Sequence, residues 1–136
     1  MAEIVLKNAY VKINNVDLSD HVTQVTLKYA AEIHDKTAMG ATARSRIAGL
    51  KDWSADIEFN QDFAAGEVDA TLWSLVGAAS FAVEIRPDAG SASATNPKYT
   101  GNAVLPEYSP IDGQVGALLK TKITLQGDGD LTRGTS

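Results

Sequence analysis

The feature that most constrains this chain is alternation. In Trp53–Asn60 (WSADIEFN), the residues Trp53, Ala55, Ile57 and Phe59 fall on one side and Ser54, Asp56, Glu58 and Asn60 on the other. That is the period-2 pattern of a strand with one covered face. The same period recurs where Leu119, Thr121, Ile123 and Leu125 alternate with Lys120, Lys122 and Thr124. Phe81, Val83 and Ile85 repeat it before Pro87 closes the run, and Val25, Leu27 and Tyr29 alternate with Gln24, Thr26 and Lys28. "AYVKINNVDLS" predicts an early strand turning at Asn14–Asn15, and "KYTGNAVLPEY" a late one. Half-covered strands in this number require a mostly antiparallel sheet packed on one face.

One segment has a different period. Between Gly66 and Gly77, Val68, Leu72, Leu75 and Val76 fall at i, i+4, i+7 and i+8, which predicts a helix with one apolar face; Trp73 lies beside that stripe. Glu67 and Asp69 favour the positive end of its dipole, and Gly77 is placed to end it. The expected fold is therefore α+β, mostly antiparallel β with one flanking helix. At 136 residues it fits a single domain over 1–136. The segment 87–98 reads as a polar surface loop, and the tail from about 127 to 136 as too polar and glycine-rich to pack. From about 34 to 52 the chain shows neither period, so a long inter-strand loop is expected there.

The residues offer little for catalysis. A nucleophilic triad needs a histidine base, and the chain has only His21 and His34. His21 follows "VDLSD" in a turn, where Ser19 and Asp20 read as turn-stabilising residues, and His34 stands at the loop entrance as a solvated side chain. Asp56 and Glu58 share a strand face, but a regular polar face is not the cleft that paired catalytic carboxylates require. Asp128 and Asp130 open a calcium-like loop that lacks its later ligands. No phosphate-cradling glycine motif occurs, and the absence of cysteine removes disulfides and thiolate metal sites. No enzyme activity, cofactor or metal is expected. A net charge of −5 argues against affinity for nucleic acid. "MAEIVLKNAY" lacks the pattern of a secretory signal and no apolar run is long enough to span a membrane, so a soluble chain used without export is expected.

Four stretches carry a family resemblance: "VKINNVDLSDHV", "TAMGATARSRIAGLKDWSADIEFNQDF", "GEVDATLWSLVG" and "NPKYTGNAVLPEYSPIDGQVGALLKTKITLQGDGDLTR". Their order and spacing, with a "DLSD" turn, a "GLKDW" loop exit and a near-terminal "GDGDLTR", resemble the major tail protein of tailed bacteriophages, the tail tube subunit. The resemblance implies a β-sandwich or rolled barrel flanked by a helix. It also implies homohexameric rings stacked into a tube that conducts DNA during ejection without binding it specifically. Implied partners are a tape-measure protein, a tail terminator and distal tail or baseplate proteins. The implied location is the virion tail, assembled in host cytoplasm.

Within that frame the basic loop over 35–51, with Lys36, Thr37, Met39, Arg44, Arg46, Ile47, Leu50 and Lys51, is expected to stay flexible in the free subunit and to order on stacking against the acidic surface of the next ring. The N-terminal arm, about 1–8, and the C-terminal tail are further inter-ring candidates. Trp73 is expected as a core residue or a subunit-interface anchor, and Asp56, Glu58, Lys120 and Lys122 are candidate lumen residues. Alternatives are the inner tube of a contractile tail or secretion-type injection device, a monomeric ligand-binding β-sandwich and, last, a small hydrolase.

Overall fold

The computed structural model describes residues 3–135; Met1, Ala2 and Ser136, at the ends of the two expected terminal segments, lie outside the described residues. The elements in chain order are β1 (Tyr10–Ile13), β2 (Val16–Asp17), a 3-10 turn (Ser19–His21), β3 (Val22–Asp35) and β4 (Arg46–Asn60). There follow α1 (Val68–Leu72), a second 3-10 turn (Trp73–Leu75), β5 (Phe81–Arg86), β6 (Lys98–Val104), β7 (Lys120–Gly127) and β8 (Thr132–Gly134). The strands form one antiparallel sheet in the order β2-β1-β5-β6-β7-β4-β3, with β8 on β6. Asn14 (φ 50°) and Asn15 (φ 67°) make the β1–β2 turn, two left-handed residues in a row, as a tight hairpin with native twist requires.

The alternation selects the core. Trp53, Ala55, Ile57 and Phe59 of β4, Ile123 and Leu125 of β7, Phe81, Val83 and Ile85 of β5, and Val11 and Ile13 of β1 are all buried in one cluster. Strands β1 and β4 are separated by three others in the sheet order, yet their inner residues share that cluster, so the sheet rolls around it.

α1 covers the cluster with Val68 and Leu72, and Leu75 adds to it from the 3-10 turn. The helical segment is shorter than the expected 66–77. The backbone turns extended at Val76, which bridges to Leu105, and the amide of Gly77 donates to the Leu105 carbonyl at 3.2 Å. That bridge ends the helical path at Leu75, and Gly77 follows in the left-handed conformation (φ 72°) expected of the glycine that closes a helix. Val76 therefore leaves the helical stripe and is partly exposed, while Trp73 points away from the core and is 68% exposed, which removes its core reading.

The C-terminal tail corrects a second expectation. It packs rather than trailing free, because β8 continues along the β6 edge that β7 leaves. The register runs from Ala103↔Gly127 to Thr100↔Thr132, so 128–131 face only 101–102 and bulge out of the ladder. Leu131 packs against the core there. Trp53 lies under the bulge. A Cβ added at Gly127 would fall 2.4 Å from Trp53 Nε1, and one at Gly101 would fall 2.9 Å from its Cζ2. Two glycines on neighbouring strands thus leave the space the indole occupies.

Gly127→Ala is expected to destabilise the fold by about 1–3 kcal/mol, read as a lowered urea midpoint. In a Trp53→Phe background the same change should cost measurably less, because the smaller ring vacates the contact.

Candidate functional site

The stretch expected as a loop over 34–52 is mostly strand. β3 and β4 pair from Val22↔Phe59 out to Asp35↔Arg46, so the connection shrinks to 36–45. β7 accompanies β4 only from Ser54 to Asn60, and past that point the two strands project as a ribbon. From Lys28 to Asp52 every residue except Thr37 is exposed. The period-2 signature is missing because it reflects burial of one face, and here the chain buries neither. Large apolar side chains stand in solvent along the ribbon, among them Tyr29, Ile33, Ile47, Leu50 (78% exposed) and Met39.

Local chemistry shapes this arm. The register shifts between Ala31↔Lys51 and Ile33↔Ala48, which places Gly49 and Leu50 opposite Glu32 alone. A Cβ on Gly49 would fall 2.8 Å from His34 Nε2, so glycine lets that ring lie on the bulge. At the tip the Thr37 amide donates to Asp35 Oδ1 (2.9 Å), the Ser45 amide to Thr37 Oγ1 (2.7 Å) and Arg44 Nη1 to Asp35 Oδ2 (2.9 Å). The Thr37 side chain, then its amide, and further the Arg44 side chain hold the Asp35 carboxyl below its ordinary pKa. Lys36, Thr37, Met39 and Arg44 thus sit on the tip, and Arg46, Ile47, Leu50 and Lys51 on the β4 side of the ribbon.

Asp56, Glu58, Lys120 and Lys122 are neighbours on the outer face of β4 and β7. Glu58 is in register with Lys122, Lys120 Nζ lies 3.6 Å from Glu58 Oε1, and Thr124 Oγ1 donates to Asp56 Oδ1 at 2.6 Å. Two acids and two bases make this face mixed in charge rather than uniformly acidic.

The end of β4 opposite the ribbon holds residues that no sequence pattern indicated. Gln61 Nε2 donates to Tyr108 Oη (2.9 Å) and to the Pro110 carbonyl (2.7 Å), and Tyr108 donates to Asp69 Oδ1 (2.8 Å). Burial, reinforced by Asp69, pushes the Tyr108 phenol up to about 12. His21 joins the same end: its Nε2 lies 2.7 Å from Glu67 Oε2, 3.5 Å from Asp62 Oδ2 and 3.6 Å from Asp20 Oδ1. The Asp20, His21 and Glu67 donor atoms lie within 4.8 Å of one another, the spacing of a metal cage. The short His21–Glu67 bond engages the ring nitrogen, however, and ties the turn before β3 to the start of α1.

No family model and no curated relative matches the chain. Solved structures do. A chain of the virion of a native gene transfer agent particle aligns over 96% of this chain and 98% of its own length, with a TM-score of 0.77 and 13% identity. A chain of the tail of an empty gene transfer agent particle, refined with C6 symmetry, aligns over 85% and 83%, with a TM-score of 0.67 and 15% identity. A chain of the extended sheath–tube complex of an extracellular contractile injection system aligns over 98% and 93%, with a TM-score of 0.70 and 10% identity. The chain therefore has the tail-tube-type fold.

Two titrations check the local geometry. Thr37→Ala should move the Asp35 midpoint, followed by NMR, back up toward the ordinary aspartate range. The tip contacts made by this lowered carboxylate hold above that ordinary range and are lost as pH falls through the lowered value. For Tyr108, the difference in phenolate absorbance between the wild type and Tyr108→Phe should appear near pH 12. The raised value means the stabilisation is complete below the ordinary tyrosine range and is lost as pH rises through about 12.

Proposed function

We propose that this chain is a structural subunit of a tail tube, assembling into hexameric rings that stack around a channel for DNA in a virion tail. One observation carries the reading most: a ribbon of exposed strands, apolar on its surface, projects from a domain with the tail-tube-type fold. A free ribbon of two strands is marginally stable alone and offers unpaired edges and apolar side chains to a partner. In a ring the partner is another copy, and a head-to-tail contact propagates or closes as its rotation dictates.

The inter-ring role belongs to the ribbon residues Lys36, Thr37, Met39, Arg44, Arg46, Ile47, Leu50 and Lys51, and the lumen role to Asp56, Glu58, Lys120 and Lys122. A lumen of that kind suits passage of DNA, since a lysine held beside a glutamate is less free to grip phosphate. Tape-measure, terminator and distal tail proteins are the further partners of such a tube, which would be built in the host cytoplasm. The likeness to a sheath–tube complex favours a second reading, the inner tube of a contractile injection device.

Negative-stain electron microscopy of the concentrated protein, alone and seeded with isolated tail tips, tests the function. Rings, or tubes with a central hole and a regular axial repeat, are expected; persistent monomers under both conditions contradict it. Deleting 38–48 should leave a folded subunit, by circular dichroism, that no longer builds long tubes.

A further inference from the structure

We propose that the end of the domain built by 61–76 and 105–119 is the acceptor for the ribbon of a second copy, recognised by charge and by apolar contact. This rests on the tube reading and adds to it which surface receives the ribbon. β4 is the link between the two ends. Its 15 residues run from Arg46 in the ribbon to Asn60, roughly 50 Å when extended, and Gln61 then enters the acceptor end. Gln61 and Tyr108 tie the two segments together there, and the Gln61 amide also donates to the Leu119 carbonyl at 3.0 Å.

The two ends have opposite signs. The ribbon from Lys28 to Asp52 carries five basic side chains and three acidic ones, net +2 within a chain of net −5. Segments 61–76 and 105–119 carry Asp62, Glu67, Asp69, Glu107 and Asp112 and not one lysine or arginine. Glu67 is engaged by His21, and Asp69 by Tyr108. Glu107 and Asp112 are exposed and make no ion pair among the described residues, and the same holds for Arg46 and Lys51 on the ribbon. The nearest basic side chain on the strands leaving this end, Lys120, is paired with Glu58.

Apolar surface follows the same division. Phe63, Trp73, Ile111, Val115 and Leu118 are exposed at the acidic end, opposite the exposed Ile47, Leu50 and Met39 of the ribbon. A contact between unlike ends of identical copies leaves one of each free, so it extends into a stack instead of closing a dimer. Exposed Trp73 thereby acquires a role as an anchor, for which its large amphipathic ring is suited.

A charge swap tests this. One variant reverses the ribbon (Arg46→Glu with Lys51→Glu) and another reverses the acceptor (Glu107→Lys with Asp112→Lys); all four sites are exposed, and circular dichroism checks that both fold. Sedimentation at low salt, with electron microscopy, should show stacking weakened roughly tenfold or more in each variant alone, because every ring interface repeats the lost pairs. An equal mixture should recover mixed stacks, since each reversed end then meets its complement. Wild-type stacking matched by either variant, or a mixture that fails to recover, overturns the acceptor assignment and leaves the tube reading standing. A wild type that forms neither rings nor stacks overturns both.

Discussion

A β-ribbon with no cover on either face is the constraint around which the rest of this molecule is arranged. Its inner backbone groups pair in the β3–β4 ladder, but its outer edges and its side chains find no partner beyond the ribbon among the described residues, because neither edge nor face meets the rest of the chain. Hydrogen bonding alone contributes little net stability, and burial of apolar surface supplies most of what holds small domains together. The ribbon can persist because β4 is continuous with the core, where Trp53, Ala55, Ile57 and Phe59 anchor it. One strand therefore serves both purposes, and the change from buried to exposed occurs between Trp53 and Asp52.

Trp53 is the joint. Its indole fills the gap where β7 gives way to β8, against glycines on two strands, and Leu131 joins the core beside the bulge. Among the described residues its Nε1–H has no acceptor, and a buried donor left so costs about 1–3 kcal/mol. The area buried by a tryptophan offsets a cost of that size. "GLKDW" and "GDGDLTR", far apart in the sequence, thus meet in space: the second leaves room for the ring that ends the first. Within that motif Gly127 acts sterically, whereas Gly129 (φ 103°) has open space around it and supplies a left-handed backbone position in the bulge.

How much of this was legible beforehand follows burial closely. Strands with one covered face announced themselves through alternation, and so did the inner residues of β4, β5 and β7. The ribbon is legible only at its base, where Tyr29 continues the alternation of β3; from about 34 to 52 the chain is covered on neither side and leaves no period to detect. β8 was hidden by polar composition; only Leu131 hinted that the tail packs. The helix stripe is legible in Val68, Leu72 and Leu75, but the pattern runs past the true end, because pairing of Val76 with Leu105 is a tertiary event. Gln61 and Tyr108 gave no signal at all: a glutamine after a strand and a tyrosine in a loop become partners only once the sheet rolls. Asp56, Glu58, Lys120 and Lys122 share one outer face, as alternation implies, while which lysine meets which acid depends on the register.

Whether other copies of the same chain complete the ribbon is decided by amide hydrogen exchange on dispersed and assembled protein. Fast exchange is expected across residues 28–52 in the dispersed subunit, slow exchange in the buried parts of β4 and β7, and strong new protection of the ribbon on assembly. A ribbon that exchanges as fast in the assembled material as in the dispersed subunit would contradict completion by other copies.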